Sequence, residues 1–314
     1  MRILCATDLL PKSEAAVDRA GMMARQLGAR LCIVHVLAFE GDERKARIAL
    51  VQMEKRTRAR LGNDGIAPTI ILRCGNRVSQ LIRVLQQVAP DLIVLGPRRW
   101  RPVRERLGET LAARILSAHR CPLLIVRHES AGNYRNILLA LDLSPAAKEI
   151  IRTAQSIVLE SGVKASVVHA FEPHYGTLPY IPRGMESVGA ANSPERAEAE
   201  RAVRRLLADP GDGLIDSNLI LSAAFPAEAI VSSVKRVQAD LLVMGTRGYG
   251  RFRRVLLGST ASQVLDAVPC DVLLVPRGAT QESRGRARSE LEPDRTVGAV
   301  STHRRLRTEH ARTH

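Results

Sequence analysis

The chain has 314 residues, of which 45% are hydrophobic and 25% charged, and its formal net charge is +15. That apolar content is enough for two cores, yet no apolar run approaches the ~20 residues of a membrane span, so a transmembrane segment is excluded. Five cysteines, odd in number and widely spaced with no C-x-x-C, argue against a metal or redox role and fit buried apolar residues of a reducing cytoplasm.

In chain order, strands are predicted near 2–7, 31–37, 69–73, 91–95 and 123–126, and helices near 13–27, 43–61, 77–88 and 109–118. Near-continuously apolar strands alternating with helices predict a parallel sheet covered on both faces. A strand beginning at residue 2 leaves no room for a signal peptide, and a cytoplasmic location is expected. The pattern then recurs. Arg2-Ile-Leu-Cys-Ala-Thr-Asp8 matches Asn136-Ile-Leu-Leu-Ala-Leu-Asp142 at an offset of 134, as Leu31–Val36 matches Ala165–Ala170. Asp91-Leu-Ile-Val-Leu-Gly96 matches Asp240-Leu-Leu-Val-Met-Gly245 at an offset of 149, as Cys121–Val126 matches Cys270–Val275. The helix stripe Val78, Leu81, Ile82, Leu85 is repeated by Ala227, Ile230, Val231, Val234. The chain is therefore two copies of one α/β domain, over 1–128 and 134–276. Fifteen extra residues follow His169 in the second copy, and an arginine-rich tail over 277–314 is expected to be disordered.

Chemistry concentrates where strands end. After the strand Asp240–Met244 come Gly245-Thr246-Arg247-Gly248 and, nine residues on, Gly258-Ser259-Thr260 opening a helix. Glycines let backbone approach a ligand closely. A helix start offers free N–H groups and a partial positive charge. Together they suit a phosphate chain. No G-x-x-x-x-G-K-[ST] occurs and no strand is followed by G-x-G-x-x-G, which argues against a P-loop or a dinucleotide fold. Asp8 and Asp142 end the first strand of each copy, on the edge where ligands of such sheets bind. Each aspartate has a plainer reading as a helix cap, and His169 reads as a structural residue of a strand end.

The G-x2-G-x9-G-[ST] loop, set in this duplicated frame, resembles that of the universal stress protein family, over about 270 of the 314 residues. The resemblance implies two tandem flavodoxin-like domains of the adenine nucleotide alpha hydrolase type, each with a five-stranded parallel sheet. It implies an ATP-binding protein of stress response or signalling. In the second copy Asp142 would meet the ribose, Ala140 and Leu141 would line the base, and Ala170 would offer main-chain atoms to the adenine edge. Gly245, Gly248, Gly258, Ser259 and Thr260 would wrap the phosphates with Met244 beside them, Arg247 and Arg251 would offset charge, and Mg²⁺ would arrive with the ATP.

The first copy departs from this pattern. Pro97-Arg98-Arg99 stands in place of Thr-Arg-Gly, the loop to Gly108 is one residue shorter, and Glu109 stands where Ser259 does. A carboxylate at that helix start repels phosphate, so this copy reads as a degenerate, empty site. Its loop arginines, Arg98, Arg99, Arg101, Arg104 and Arg106, leave open another anion, although a solvated charge run is the plainer reading. Family members commonly dimerise through their last strands, which implies that Leu123–Val126 and Val272–Val275 pair as an internal pseudo-dimer, with further homodimerisation and protein partners left open. The insertion from Glu172, with Tyr175 and Tyr180, reads as a surface loop or a lid over the base.

Three competing functions remain. No general base stands out, so catalysis beyond slow ATP hydrolysis is not indicated. An adenylating enzyme would carry a glycine cluster after the first strand, and neither Asp8-Leu-Leu-Pro-Lys-Ser13 nor Asp142-Leu-Ser-Pro145 has one. An ATP-independent role through partners, or weak nonspecific binding of polyanions through the basic excess, is the remaining alternative.

Overall fold

The computed structural model describes residues 1–61, 67–97, 111–127, 132–158, 162–171, 193–208, 217–246 and 257–278. In the first copy the strands are β1 (Arg2–Ala6), β2 (Arg30–Leu37), β3 (Thr69–Cys74), β4 (Leu92–Leu95) and β5 (Leu123–Ile125), with helices α1 (Pro11–Gln26), α2 (Glu43–Leu61), α3 (Arg77–Val88) and α4 (Leu111–Ala118). The second copy follows with β6 (Asn136–Ala140), β7 (Lys164–Ala170), β8 (Asn218–Ser222), β9 (Leu241–Gly245) and β10 (Asp271–Val275). Its helices are α5 (Ala146–Ile157), α6 (Pro194–Leu207), α7 (Pro226–Arg236) and α8 (Ser259–Ala267). The expected elements of the first copy are present to within one or two residues. Helix α1 starts earlier than its apolar pattern indicates because Pro11, with φ preset and no N–H to satisfy, occupies its first turn.

Within each copy the strands are parallel, in the spatial order β3-β2-β1-β4-β5 and its equivalent β8-β7-β6-β9-β10. The order reverses beside the first strand, which opens a crevice at the carboxyl ends of β1 and β4, and of β6 and β9. Asp91 and Asp240, equivalent residues, fasten the first strand of each copy. Asp91 accepts the Arg2 N–H at 2.7 Å, and Asp240 accepts those of Arg135 and Asn136 at 2.6 and 3.1 Å.

The two copies join edge to edge. β10 and β5 pair antiparallel, with Val272 opposite Ile125 and Leu274 opposite Leu123, giving one ten-stranded sheet. Pairing covers two edges that would otherwise expose backbone donors and acceptors. Because the join is antiparallel, the carboxyl edges of the two copies lie on opposite sides of the sheet. Alternate strand residues feed two cores. Ile3 and Cys5 face the core beneath α1, α2, α5 and α6, whereas Leu4 faces that beneath α3, α4, α7 and α8.

A buried polar cluster locks the junction. Asp271 of β10 accepts the Arg127 backbone N–H and the Tyr134 hydroxyl, both at 2.7 Å. The Arg19 guanidinium of α1 lies 3.8 Å from the same carboxylate, 4.1 Å from the Tyr134 ring centroid, and donates to the Gly132 carbonyl at 2.7 Å. Burial first, and then the Asp271 charge, raise the Tyr134 phenol well above its usual range, so it stays a neutral donor. No described helix is long and apolar enough to cross a membrane. Burial likewise pushes Cys5 and Cys270 up to about 12, which makes them inert thiols.

Candidate functional site

The second copy gathers most of the expected residues on one edge. Ala140 ends β6 and pairs in register with Met244 of β9, while Ala170 ends the neighbouring β7 and Gly245 ends β9. Thr246 then ties the loop ends together, since its N–H donates to the Val275 carbonyl at 3.1 Å and its own carbonyl accepts the Gly258 N–H at 2.8 Å. Gly258 is the N-cap of α8, with no side-chain cap bond, so the first-turn amides of Ser259 and Thr260 stay available at the end of β9. Two expected residues contribute main chain only. The side chains of Leu141 and Met244 are each 4% exposed and belong to the two cores. Arg247, Gly248 and Arg251 lie outside the described residues, as do the insertion from Glu172, the tail beyond 278, and Arg98 to Glu109 of the first copy.

Asp142 is the informative side chain. One carboxylate oxygen accepts the Ser144 N–H at 3.1 Å, and the other, Oδ2, is buried with no hydrogen-bond partner. This turn swings Leu143 into the left-handed region, at φ 56°. The aspartate therefore bonds two residues ahead of itself and does not cap α5, whose N-cap has no side-chain bond. Leaving a carboxylate oxygen dry and unbonded is unfavourable unless a ligand completes it. His169 donates from Nδ1 to the Leu141 carbonyl at 2.8 Å and acts as a strut between the ends of β6 and β7.

The first copy repeats the turn but closes it. Leu9 has φ 61°, and Asp8 accepts the Leu10 N–H at 3.0 Å. Here, however, Ser13 donates to Asp8 Oδ1 at 2.6 Å, Thr7 Oγ1 lies 3.1 Å from Ser13 Oγ, and the Leu9 N–H donates to Thr7 Oγ1 at 3.1 Å. A hydroxyl relay thus engages Oδ1 of Asp8, while the residue itself is exposed. The equivalents of Thr7 and Ser13 in the second copy are Leu141 and Ala147, which can supply no such bond. Nor does Asp8 cap α1, whose N-cap Leu10 has no side-chain bond. Gly96 is needed for packing, because a Cβ there would meet Ser13 at 3.2 Å.

Above this closed turn lies a cavity of about 370 Å³, lined by residues of β1, β2 and β4, by Val78 and Leu81 of α3, and by Leu111 of α4. Arg77, Arg127 and, from the second copy, Leu265 complete its walls. Sequence reasoning missed all three. The relay was visible in the text as the Thr7/Leu141 and Ser13/Ala147 differences, but Leu265 reaches the site only through the junction.

Among the described residues no group of three or more His, Cys, Asp or Glu could hold a metal ion. Four basic residues of α2 pair with nearby acids: Lys45 with Asp42 just before the helix, Arg47 with Glu43, Arg58 with Glu54, and Arg56 with Glu14 of α1. Exposed pairs of this kind mark a solvated face.

The chain matches the Universal stress protein family over residues 1–127 and again over 133–276. A universal stress protein of Thermus aquaticus is 36% identical over 144 residues, covering 45% of this chain and 98% of the relative. Another, of Mycolicibacterium smegmatis, is 25% identical over 298 residues and covers 87% of this chain and 96% of its own. The crystal structure of a universal stress protein from Archaeoglobus fulgidus shares the fold at a TM-score of 0.65 and 20% identity, over 88% of this chain and 98% of that one. Two successive family matches, on two copies of one parallel α/β unit, establish that the chain belongs to the universal stress protein family.

Proposed function

We propose that this protein binds ATP, with the Mg²⁺ that the nucleotide carries, at the carboxyl edge of the second copy, and that occupancy of this site serves a stress-response or signalling role. The observation that carries the reading is Asp142 Oδ2, a buried carboxylate oxygen without a partner. A ribose hydroxyl is the kind of donor that would complete it. The rest of the edge fits. The main chain at Ala140, Leu141 and Ala170 borders the place for a base, Ser259 and Thr260 leave first-turn backbone amides for phosphate oxygens, and Gly245 and Gly258 would let the chain approach them without a Cβ in the way. Arg247 and Gly248 belong to the same loop by sequence. On this reading the first copy, with Asp8 bonded internally, takes no nucleotide, and the β5–β10 join makes each chain its own pseudo-dimer.

Calorimetric titration with Mg-ATP tests the proposal, on the intact protein and on Gly258→Glu. Gly258 has φ −65° and ψ 160°, which any residue adopts, so the substitution places charge without straining the backbone. One ATP per chain, abolished by Gly258→Glu, is the expected result. Absence of binding, or binding indifferent to the substitution, would overturn the reading.

A further inference from the structure

The cavity of the first copy has a different chemistry from the edge of the second. Its walls are mainly aliphatic: Val34, Val36, Val78, Leu81, Leu111 and Ile125. About 370 Å³ lies within the range of small-molecule pockets, which combine apolar walls with a few placed polar groups. Water held against such walls is poorly bonded, and its release favours an apolar body.

The polar groups are few and of one dominant sign. Two arginines, Arg77 and Arg127, and one aspartate, Asp8, line it. Asp8 already accepts from Ser13 and from the Leu10 N–H. Arg77 is exposed at the start of α3 and lines the cavity. Arg127 is anchored at the other end, where its guanidinium donates to the Leu265 carbonyl in the last turn of α8. Its Nε is buried without an acceptor, and Asp266 and Asp271 share its field. His35, also lining the cavity, donates from Nδ1 to the Thr7 carbonyl at 2.8 Å.

We propose that this cavity is a binding site for a small organic carboxylate with an apolar body, the body lying over β2, β1 and β4 and the anionic head pairing with Arg77. The proposal does not depend on nucleotide binding in the second copy. It replaces the expectation of an empty first copy: Ser13 occupies Oδ1 of Asp8, and the slot is apolar with the exposed Arg77 among its lining residues.

The test uses 8-anilinonaphthalene-1-sulfonate, an apolar-bodied anion that fluoresces when it leaves water, titrated with and without saturating Mg-ATP. One saturable site per chain is expected, displaced by decanoate but not by decanol, inorganic phosphate or ATP. Arg77→Glu should weaken probe binding about tenfold or more, the scale of losing one charge-assisted contact. Val78→Trp, which fills the cavity from α3, should abolish it, and Gly258→Glu should leave it unchanged. Thermal melts of Arg77→Glu and Val78→Trp check that each variant is folded, and Arg77→Glu, altered only at an exposed position, keeps the test intact if Val78→Trp misfolds. Displacement by ATP, equal displacement by decanol, non-saturable binding, or indifference to Arg77→Glu in the folded variant would each overturn the proposal.

Discussion

Asp8 and Asp142 are the same residue at the same turn of a duplicated domain, yet Asp8 is exposed with a hydroxyl on Oδ1 and Asp142 has a buried, unpartnered Oδ2. Asp8 is bonded by Ser13 and by a relay that runs back through Thr7 to the Leu9 N–H. Asp142 keeps Oδ2 buried and bare, and Leu141 and Ala147 stand where the two hydroxyls of the first copy do. Two differences beside a retained residue thus accompany two different hydrogen-bonding environments for the same aspartate. Retention of a motif residue is accordingly poor ground for inferring retention of its job; what its neighbours can donate decides.

The comparison can be broken in three ways. The largest effect is expected at the junction, where the copies are least alike: Asp271 corresponds to Pro122 of the first copy. Asp271→Ala leaves Arg19 buried without its counter-charge and Tyr134 without its acceptor, and should destabilise the folded chain by about 3–5 kcal/mol in denaturant titration. An unchanged midpoint would mean that the cluster is not what locks the copies together.

Next in size is the paired removal of the two aspartates. Asp142→Ala should weaken ATP binding by about 30-fold, or ~2 kcal/mol, while leaving stability unchanged or slightly improved, since an unbonded carboxylate oxygen disappears. Asp8→Ala should do the reverse, lowering stability by about 1 kcal/mol and leaving ATP affinity as it was. Equal effects of the two on affinity, read by calorimetry, would erase the distinction between the copies.

The smallest effect is expected from grafting the relay. Leu141→Thr with Ala147→Ser gives Asp142 the partners that Asp8 has, and should reduce ATP affinity about tenfold as the carboxylate turns inward. A double variant that binds as well as the parent would show that the hydroxyls alone do not silence the first copy.

Much of this architecture was legible in the sequence. The doubled strand motifs Arg2–Asp8 and Asn136–Asp142 fixed the repeat, and apolar runs such as Asp240-Leu-Leu-Val-Met244 located strands because a strand buried on both faces tolerates little else. The second copy's edge was legible too, since its residues fall on adjacent strand ends once the strand order is granted. Less visible was whatever depends on backbone handedness or on the meeting of distant segments. The cap reading of Asp8 and Asp142 failed because Leu9 and Leu143 take positive φ, at 61° and 56°, which aspartate turns permit and a leucine does not announce. Arg127 and Leu265 meet 138 residues apart, and no local period encodes that contact.

One helix deserves a mechanical reading. Since the copies join antiparallel, α8 begins at the second copy's carboxyl edge and ends against the first copy's cavity, where Leu265 forms wall and Arg127 clasps the final turn. Its nine residues make a strut about 13 Å long, too short to carry a hinge of its own. Opposite edges of the sheet therefore share one helix, and were an occupant of either edge to change affinity at the other, linkage would return the preference by the same factor.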